Sequence, residues 1–419
     1  MSRLLIPLVA VLSFVSAAPA ENWPMWRGPR GDGTSLDKGF PTKWDAASGA
    51  NIAWTCEIPG KGHSSPIVWN DRVFLTTCLE DPDPKKPQDR VLICIDRKSG
   101  KIAWQKTVLT APKEPVHKLN SFASSTPATD GTHVFVTFHQ NPKVVVAAYD
   151  FQGNEVWRQV PGEFQSQHGF CSPPVIYKNL VIVNCDQDAF GKKKPAYVVA
   201  LDRATGDEKW RIDRPERIRS YCPPLIAEAA GKAQMVMTGA WAVDSYDPDT
   251  GKQIWHIHGP TEQFVASMIY HKNLFFLTAG FPTYHVMAIK PDGAGDVTKT
   301  HEVWHEEKGA GYVPSPVAAG DNIFLVHDNG LASARNALTG KLHWFERLGK
   351  HHSASPVAAE GKVFYADDDG STFVVTASEK FDVVEKNKIN ETVYASPAFS
   401  DGQIFLRGEK RLFCIAVKK

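Results

Sequence analysis

The sequence predicts an all-β fold: an eight-bladed β-propeller of four-stranded antiparallel blades, closed by an N-terminal strand. Three observations carry this expectation. A strand ending in Trp after a tight turn recurs, as in ALDRATGDEKW (Ala200 to Trp210), SYDPDTGKQIW, CIDRKSGKIAW, ARNALTGKLHW and the shorter AYDFQGNEVW. A Pro-bearing strand start recurs out of phase with it. A spare strand at the front of the chain matches a missing one at the back. A fixed period of roughly 40 to 50 residues marks a solenoid or a propeller.

The chain begins MSRLLIPLVAVLSFVSAAPA, with an apolar run from Leu4 to Val15 and the small-residue ending Ala18-Pro19-Ala20. The run is too short to span a bilayer and its ending suits signal peptidase, so residues 1–20 are expected to be a cleaved secretory leader. The first Cys is Cys56, so no lipid-anchoring Cys follows the apolar run. No later segment is apolar enough to cross a membrane. A periplasmic or secreted protein is expected. Residues 21–51 read as a strap: Trp23, Trp26 and Trp44, with Arg27 and Pro29, are expected to bury across one propeller face. The alternative is an exposed partner-binding patch.

The propeller then occupies residues 52–419. Its Pro-bearing starts are SSPIVW at Ser64, SSTPAT at Ser124, CSPPVI at Cys171, YCPPLI at Tyr221, VPSPVA at Val313, SASPVA at Ser353 and YASPAF at Tyr394, with a degenerate VASMIY at Val265. The Trp-ending strands carry Trp54, Trp104, Trp157, Trp210, Trp255, Trp304 and Trp344, and the aromatic-poor FDVVEK at Phe381 stands in the eighth place. Between the anchors lie two more strands rich in β-branched and aromatic residues, such as RVFLTT and VLICID. The turn Gly before each Trp accepts positive φ at little cost, and the Trp offers a large surface to the neighbouring blade. The unit from Ala395 ends after three strands, at RLFCIAV, and IAWTCEI around Trp54 supplies the fourth. Joining them removes an open sheet edge.

Composition narrows the function classes. With 47 basic and 46 acidic residues the chain has no basic stripe for a phosphate backbone, so nucleic acid is not expected as a partner. The seven Cys include no C-x-x-C and no adjacent pair. An exported chain permits disulfides, an odd count leaves at least one thiol over, and small buried thiols are the plainer reading. They are not a metal framework.

Topology locates a candidate site. In each blade the residues before the first strand, and those between the second and third, surround one mouth of the central channel, where propeller ligands sit. The first set gives His63, Ser124, His168, Arg219, Tyr221, Gln263, Tyr312, His352 and Tyr394. The second includes His139, Asp186, Asp188, Trp241, Tyr284, His327, Asp328, Asp367, Asp368 and Arg407. Such a ring suits a polar or anionic ligand, with Arg219 the best fork for a carboxylate. His and Asp together could hold a divalent ion, for which Asp186, Asp188 and Asp328 are the candidates. Against this, HDNG and DDDG are ordinary turn chemistry. The charged, Pro-rich LEDPDPKKPQDR (Leu79 to Arg90) lengthens one mouth loop and reads as a lid or contact loop. No nucleophile triad, phosphate-binding loop or paired-carboxylate motif is present.

The motif A-x-D-x-x-T-G-x-x-x-W, matched fully by ALDRATGDEKW, resembles the Trp-docking motif of the pyrroloquinoline-quinone (PQQ) propeller repeat. That repeat occurs in quinoprotein alcohol dehydrogenases and in BamB-type outer-membrane assembly factors, and the resemblance covers roughly Ile52 to Val417. The opening NWPMWRGPRGDGTS is also similar to the lead-in of exported planctomycete PQQ-like repeat proteins. The resemblance implies the fold, because the Trp and Gly serve blade packing. Resemblance to the dehydrogenases would imply PQQ in the channel beside Ca2+, held by Arg219 and aromatic faces, with Asp186, Asp188 or Asp328 as general base. This chain is shorter than theirs, lacks their vicinal Cys-Cys, and offers no mapped Glu–Asn–Asp calcium set. The leading expectation is therefore a non-enzymatic, monomeric propeller without a certain cofactor. It would bind a protein or small polar ligand through His63, His168, Arg219, Tyr221, Gln263, Tyr312, His352 and Tyr394.

Overall fold

A computed structural model describes residues 20–83, 85–188 and 196–418. The predicted leader thus lies outside the described residues, apart from Ala20. Among the described residues the chain folds into eight sheets and no helix long and apolar enough to cross a membrane. Seven sheets are consecutive in sequence, spanning 67–111, 128–163, 175–213, 225–258, 269–306, 317–347 and 357–388. We number these blades one to seven.

Blade eight closes the ring. Its three C-terminal strands are completed by Ile52–Glu57, which pairs antiparallel with Arg411–Ile415, Glu57 opposite Arg411 and Cys56 opposite Leu412. The eight-bladed, four-stranded, N-terminally closed propeller expected from the repeats is therefore the fold observed. One blade exceeds the pattern. In blade four a short fifth strand, Gly295–Asp296, runs parallel beside Trp255 and His256. It comes from the extended PDGAGD turn of blade five, which reaches back across the blade interface.

Indoles tie each blade to the next. Six of them donate Nε1–H to a carbonyl in the turn of the following blade: Trp54 to Arg97 (2.8 Å), Trp104 to Phe151 (2.9 Å), Trp157 to Arg203 (3.0 Å), Trp210 to Pro248 (3.2 Å), Trp304 to Ala337 (2.9 Å) and Trp344 to Ser378 (3.2 Å). The receiving turn must be Gly for two reasons. At Gly340 φ is +71° and a Cβ would lie 2.7 Å from the Trp304 ring; at Gly206 φ is +79° and a Cβ would lie 2.8 Å from Trp157. Trp255 reaches its neighbour by relay. It donates to Gln234 Oε1 (2.8 Å), and Gln234 Nε2 donates to Pro291 O in the next blade (2.8 Å). Between blades seven and eight, where the repeat supplies no Trp, the strap's Trp44 is buried in a cluster with Phe364, Phe399 and Phe405.

A second ring of hydrogen bonds runs through the Pro-bearing starts around the channel. The backbone N–H of Ser267 donates to Ser315 Oγ, Ser315 to Ser355, Ser355 to Ser396, Ser396 to Ser65, and Ser65 to Thr126 Oγ1, all at 2.9–3.0 Å. Blades three and four place Pro173 and Pro223 at this position. A proline has neither the N–H to donate nor the hydroxyl to accept, so the ring is open there.

Of the strap residues, Trp23, Trp44 and Arg27 are buried, and Trp26 and Pro29 are half-buried. Trp23 pairs with Val68, the innermost strand of blade one, through N–H to O bonds of 2.9 and 2.8 Å in both directions. Arg27 is buried, donating to Pro356 O and Asp32 O (both 2.8 Å) and to Pro316 O. The strap so links blades one, six and seven beneath the channel. All seven Cys are unpaired; six are buried and Cys171 is half-buried.

The docking account predicts a sharp contrast between two Trp residues. Trp344 is 6 % exposed and Trp241 is 52 % exposed. Truncating a buried large aromatic costs about 3 to 5 kcal/mol, whereas an exposed substitution costs about 0.5 kcal/mol or less. Urea unfolding of Trp344→Ala and Trp241→Ala is expected to show this difference.

Candidate functional site

The chain crosses from the outer strand of each blade to the inner strand of the next at the same end of the channel, and these crossings meet in a cup. The cavity there has a volume of about 410 Å³. Every blade contributes to its wall: His63 from blade one, Ser124 from two, His168 from three, Tyr221 from four, Gln263 from five, Tyr312 from six, His351 from seven and Tyr394 from eight. Below the cup a second space of about 140 Å³ shares several of these residues and is floored by the Ser/Thr/Pro ring and by Trp26. Trp26 Nε1–H donates to Ser267 Oγ (3.0 Å), so the strap plugs the channel from below.

Of the residues predicted for the site, the structure brings together His63, His168, Tyr221, Gln263, Tyr312 and Tyr394, with Asp328 beside them. Two do not line it. His352 is fully buried, its ring nitrogens facing Ala366 O (2.9 Å) and Leu348 O. Its neighbour His351 faces the cup instead, with Nδ1 against Asp368 Oδ2. Arg219 is not a free fork. It is ion-paired with Glu262 and with Asp188 (Nε to Oδ1, 3.3 Å). Residues 112–127, the longest connection between blades, add His117, Leu119 and Asn120 to the wall. Asn120 Nδ2 donates to His168 O (2.7 Å), which ties this connection to blade three. The sequence reading missed these residues, and the length of the connection is the signal that could have found them. Among the described residues, the charged 79–90 segment, expected to be a lid or contact loop, contributes no lining residue to the cup.

Burial keeps several of the polar side chains in the cup uncharged. His63 Nδ1 faces Leu119 O (3.2 Å) and its ring packs on Tyr394 at 4.5 Å between centroids. Burial, with the positive Arg407 nearby, pulls its pKa down to about 4. Burial also lowers His168, whose ring meets Tyr221 edge-on at 5.8 Å. Burial raises the phenols of Tyr221 and Tyr394, and pushes Tyr312 up to about 12. Gln263 Nε2 donates to Tyr312 OH (2.7 Å). Burial also pushes the Cys171 thiol up to about 12, far from the thiolate a nucleophile requires.

Asp328 is the exception. Its Oδ1 lies 3.1 Å from His327 Nδ1, but that nitrogen already accepts the Asn329 N–H (2.9 Å). Oδ1 is buried and without a hydrogen-bond donor. It is an acceptor waiting for a partner.

The carboxylates proposed for a calcium ion do not assemble. Asp186 is buried in the wall of blades three and four, gripped by Arg214 Nε (3.0 Å), which also reaches Asp244 (3.2 Å); burial pushes Asp186 up to about 6. Asp188 accepts the Gln167 N–H (2.9 Å) and pairs with Arg219. Only Asp328 faces the cup. Among the described residues no three His, Cys, Asp or Glu side chains come together as metal ligands. With Arg219 also engaged elsewhere, the residues present do not fit a PQQ–Ca2+ centre.

Comparison with known proteins places this geometry in a family. The sequence profile described as outer membrane protein assembly factor BamB matches residues 37–121, 88–330 and 286–383. The chain belongs to that family of PQQ-like propellers. No curated protein matches the sequence. Among solved structures the chain is similar to BamB from Moraxella catarrhalis, at 13% identity and a TM-score of 0.60 over 88% of this chain and 97% of that one. It is similar to the quinohemoprotein alcohol dehydrogenase from Comamonas testosteroni, at 13% identity and a TM-score of 0.65 over 95% of this chain and 81% of that one. The computationally designed Ika8 protein matches at 11% identity and a TM-score of 0.57, over 87% of this chain and 99% of that one. At these identities the likeness shows the fold alone.

The depressed His63 has a measurable consequence. Its folded pKa of about 4 lies below the ordinary 6.5, so the unfolded chain takes up a proton first as pH falls. Stability contributed by the neutral ring is present above pH 6.5 and is lost between pH 6.5 and about 4. NMR titration is expected to show the His63 ring titrating near pH 4, and His63→Phe is expected to flatten the stability profile across that window.

Proposed function

We propose that the protein is an exported, non-enzymatic recognition propeller that holds a small polar ligand, or the polar tip of a partner chain, in the eight-blade cup. The observation that supports this reading is the cup itself. Hydrogen-bonding side chains from all eight blades converge on about 410 Å³, within the range of ordinary ligand pockets. Neutral imidazoles and phenols offer donors and acceptors without the desolvation cost of charges. Asp328, which lines the cup, supplies a carboxylate acceptor for a ligand N–H or O–H. The Trp26 plug makes the channel a blind recess rather than a pore.

The general-base role once open to Asp186 and Asp188 is disfavoured by their grip on Arg214 and Arg219. The family description, an outer-membrane assembly factor, agrees with an exported location and with protein recognition. The predicted leader supports the same location. A monomer remains the expected state.

Calorimetric titration of the purified protein with PQQ, with and without Ca2+, is expected to give no saturable heat and no dye reduction with alcohols or sugars. Saturable calcium-dependent binding with dye turnover would overturn the proposal in favour of a quinoprotein dehydrogenase. In cells, a photoreactive benzoyl-phenylalanine at Tyr312 is expected to yield discrete adducts that the same group at Val384, 44 % exposed on an outer strand, does not. Equal labelling at both positions would also count against the cup.

A further inference from the structure

Charge decides which polar guest suits the cup. The expectation of an anionic one rested on Arg219, and the structure commits that guanidinium to two carboxylates, Glu262 and Asp188. Among the described residues no Lys or Arg lines the cup. Its imidazoles do not replace them. Burial holds His63 and His168 below the ordinary imidazole range, and His117 Nδ1 accepts the Leu119 N–H (3.3 Å). His351 Nδ1 has its own counter-ion in Asp368 Oδ2, so any charge on that ring is met within the pair.

Negative charge, by contrast, reaches the cup from several blades. Asp328 lines it with a side chain 26 % exposed, and no N–H or O–H of the described residues donates to that carboxylate. His327 Nδ1, 3.1 Å away, cannot donate because it accepts the Asn329 N–H. Burial is the main cause of the raised phenols of Tyr312, Tyr221 and Tyr394, and carboxylates add to it: Asp328 at the first, Asp188 at the second, Asp368 and Glu409 at the third. Gln263 commits its Nε2–H to Tyr312 OH (2.7 Å), so what it keeps for a guest is an acceptor, Oε1. Leu119, Val265 and Val313 make other parts of the same wall apolar. A guest hydroxyl gives Asp328 a hydrogen bond but leaves its charge unmatched, whereas an ammonium does both. The phenol faces attract a cation as well, and the apolar wall covers an alkyl stem.

We propose that the cup takes an organic cation: a primary ammonium on an alkyl stem, the ammonium donating to Asp328 and the stem lying against Val265 and Val313. Its source is either a free amine or the lysine side chain of a partner. The inference rests on the reading of the cup as a recognition site and adds the charge of what is recognised.

Three guests of one length test this: hexylammonium, hexanol and hexanoate, titrated at neutral pH into protein with NMR-labelled Leu and Val methyls. The Leu119, Val265 and Val313 signals are expected to move with hexylammonium, to move roughly tenfold less tightly with hexanol, and to stay in place with hexanoate. Asp328→Asn is expected to weaken hexylammonium about tenfold and leave hexanol unchanged, a contrast that lost folding does not produce. Tighter binding of N-acetyl-lysine methylamide than of hexylammonium assigns the site to a partner's lysine; the reverse order assigns it to a free amine. Hexanol or hexanoate binding as tightly as hexylammonium overturns the inference and leaves the cup a recognition site. If none of the three moves these methyls, the inference fails and the result counts against the cup as well. The comparison of guests uses the native chain, so it decides the matter whether or not the variant folds.

Discussion

The antiparallel pairing of Ile52–Glu57 with Arg411–Ile415 is the constraint on which the rest of the molecule depends. A propeller blade cannot bury both its faces alone, and each of these blades covers its neighbour. Closure gives the last blade its fourth strand and brings blade eight against blade one. The consequences reach the candidate site directly. The His63–Tyr394 ring contact, the Arg407 bonds to Ser64 and Thr76, and the Ser396-to-Ser65 link all cross that junction. An open array would keep its blades and lose its cup.

Two kinds of hydrogen bond then set the blade spacing at different radii. On the outside, indole N–H groups reach the next blade's turn; on the inside, Ser backbone N–H groups reach the next blade's hydroxyl. Where each pattern fails, another part of the chain compensates. Gln234 relays for Trp255, Trp44 from the strap fills the blade seven–eight interface, and beside the open part of the inner ring Trp26 of the strap bonds Ser267. The strap is thus a structural part of the propeller.

The repeat was legible because its physical demands recur at fixed spacing: a Gly that admits positive φ under an indole, and a small polar residue beside Pro at the channel. The cup was legible to the level of which connections surround it, and less so residue by residue. His351 and His352 are adjacent, and nothing periodic in a loop says which of them turns inward. Arg219 reads as a free guanidinium until folding brings Glu262 and Asp188 to it from distant positions. Likewise Asp186 reads as a mouth carboxylate, and only the packed wall shows Arg214 holding it. Long-range charge pairing leaves no local mark in sequence, whereas turn and strand chemistry does. The result is a closed propeller whose recess gathers side chains from all eight blades.

Hydrogen exchange measured by mass spectrometry tests the claim of closure most directly. If the ring is held by the N-terminal strand, amides in 52–57 and 411–415 exchange only with global unfolding, as slowly as those in the buried strand Lys232–Gly239 of blade four. Exchange in the closing strands that is orders of magnitude faster, at a rate independent of global stability, would contradict it. The cup would then rest on a junction that opens by itself.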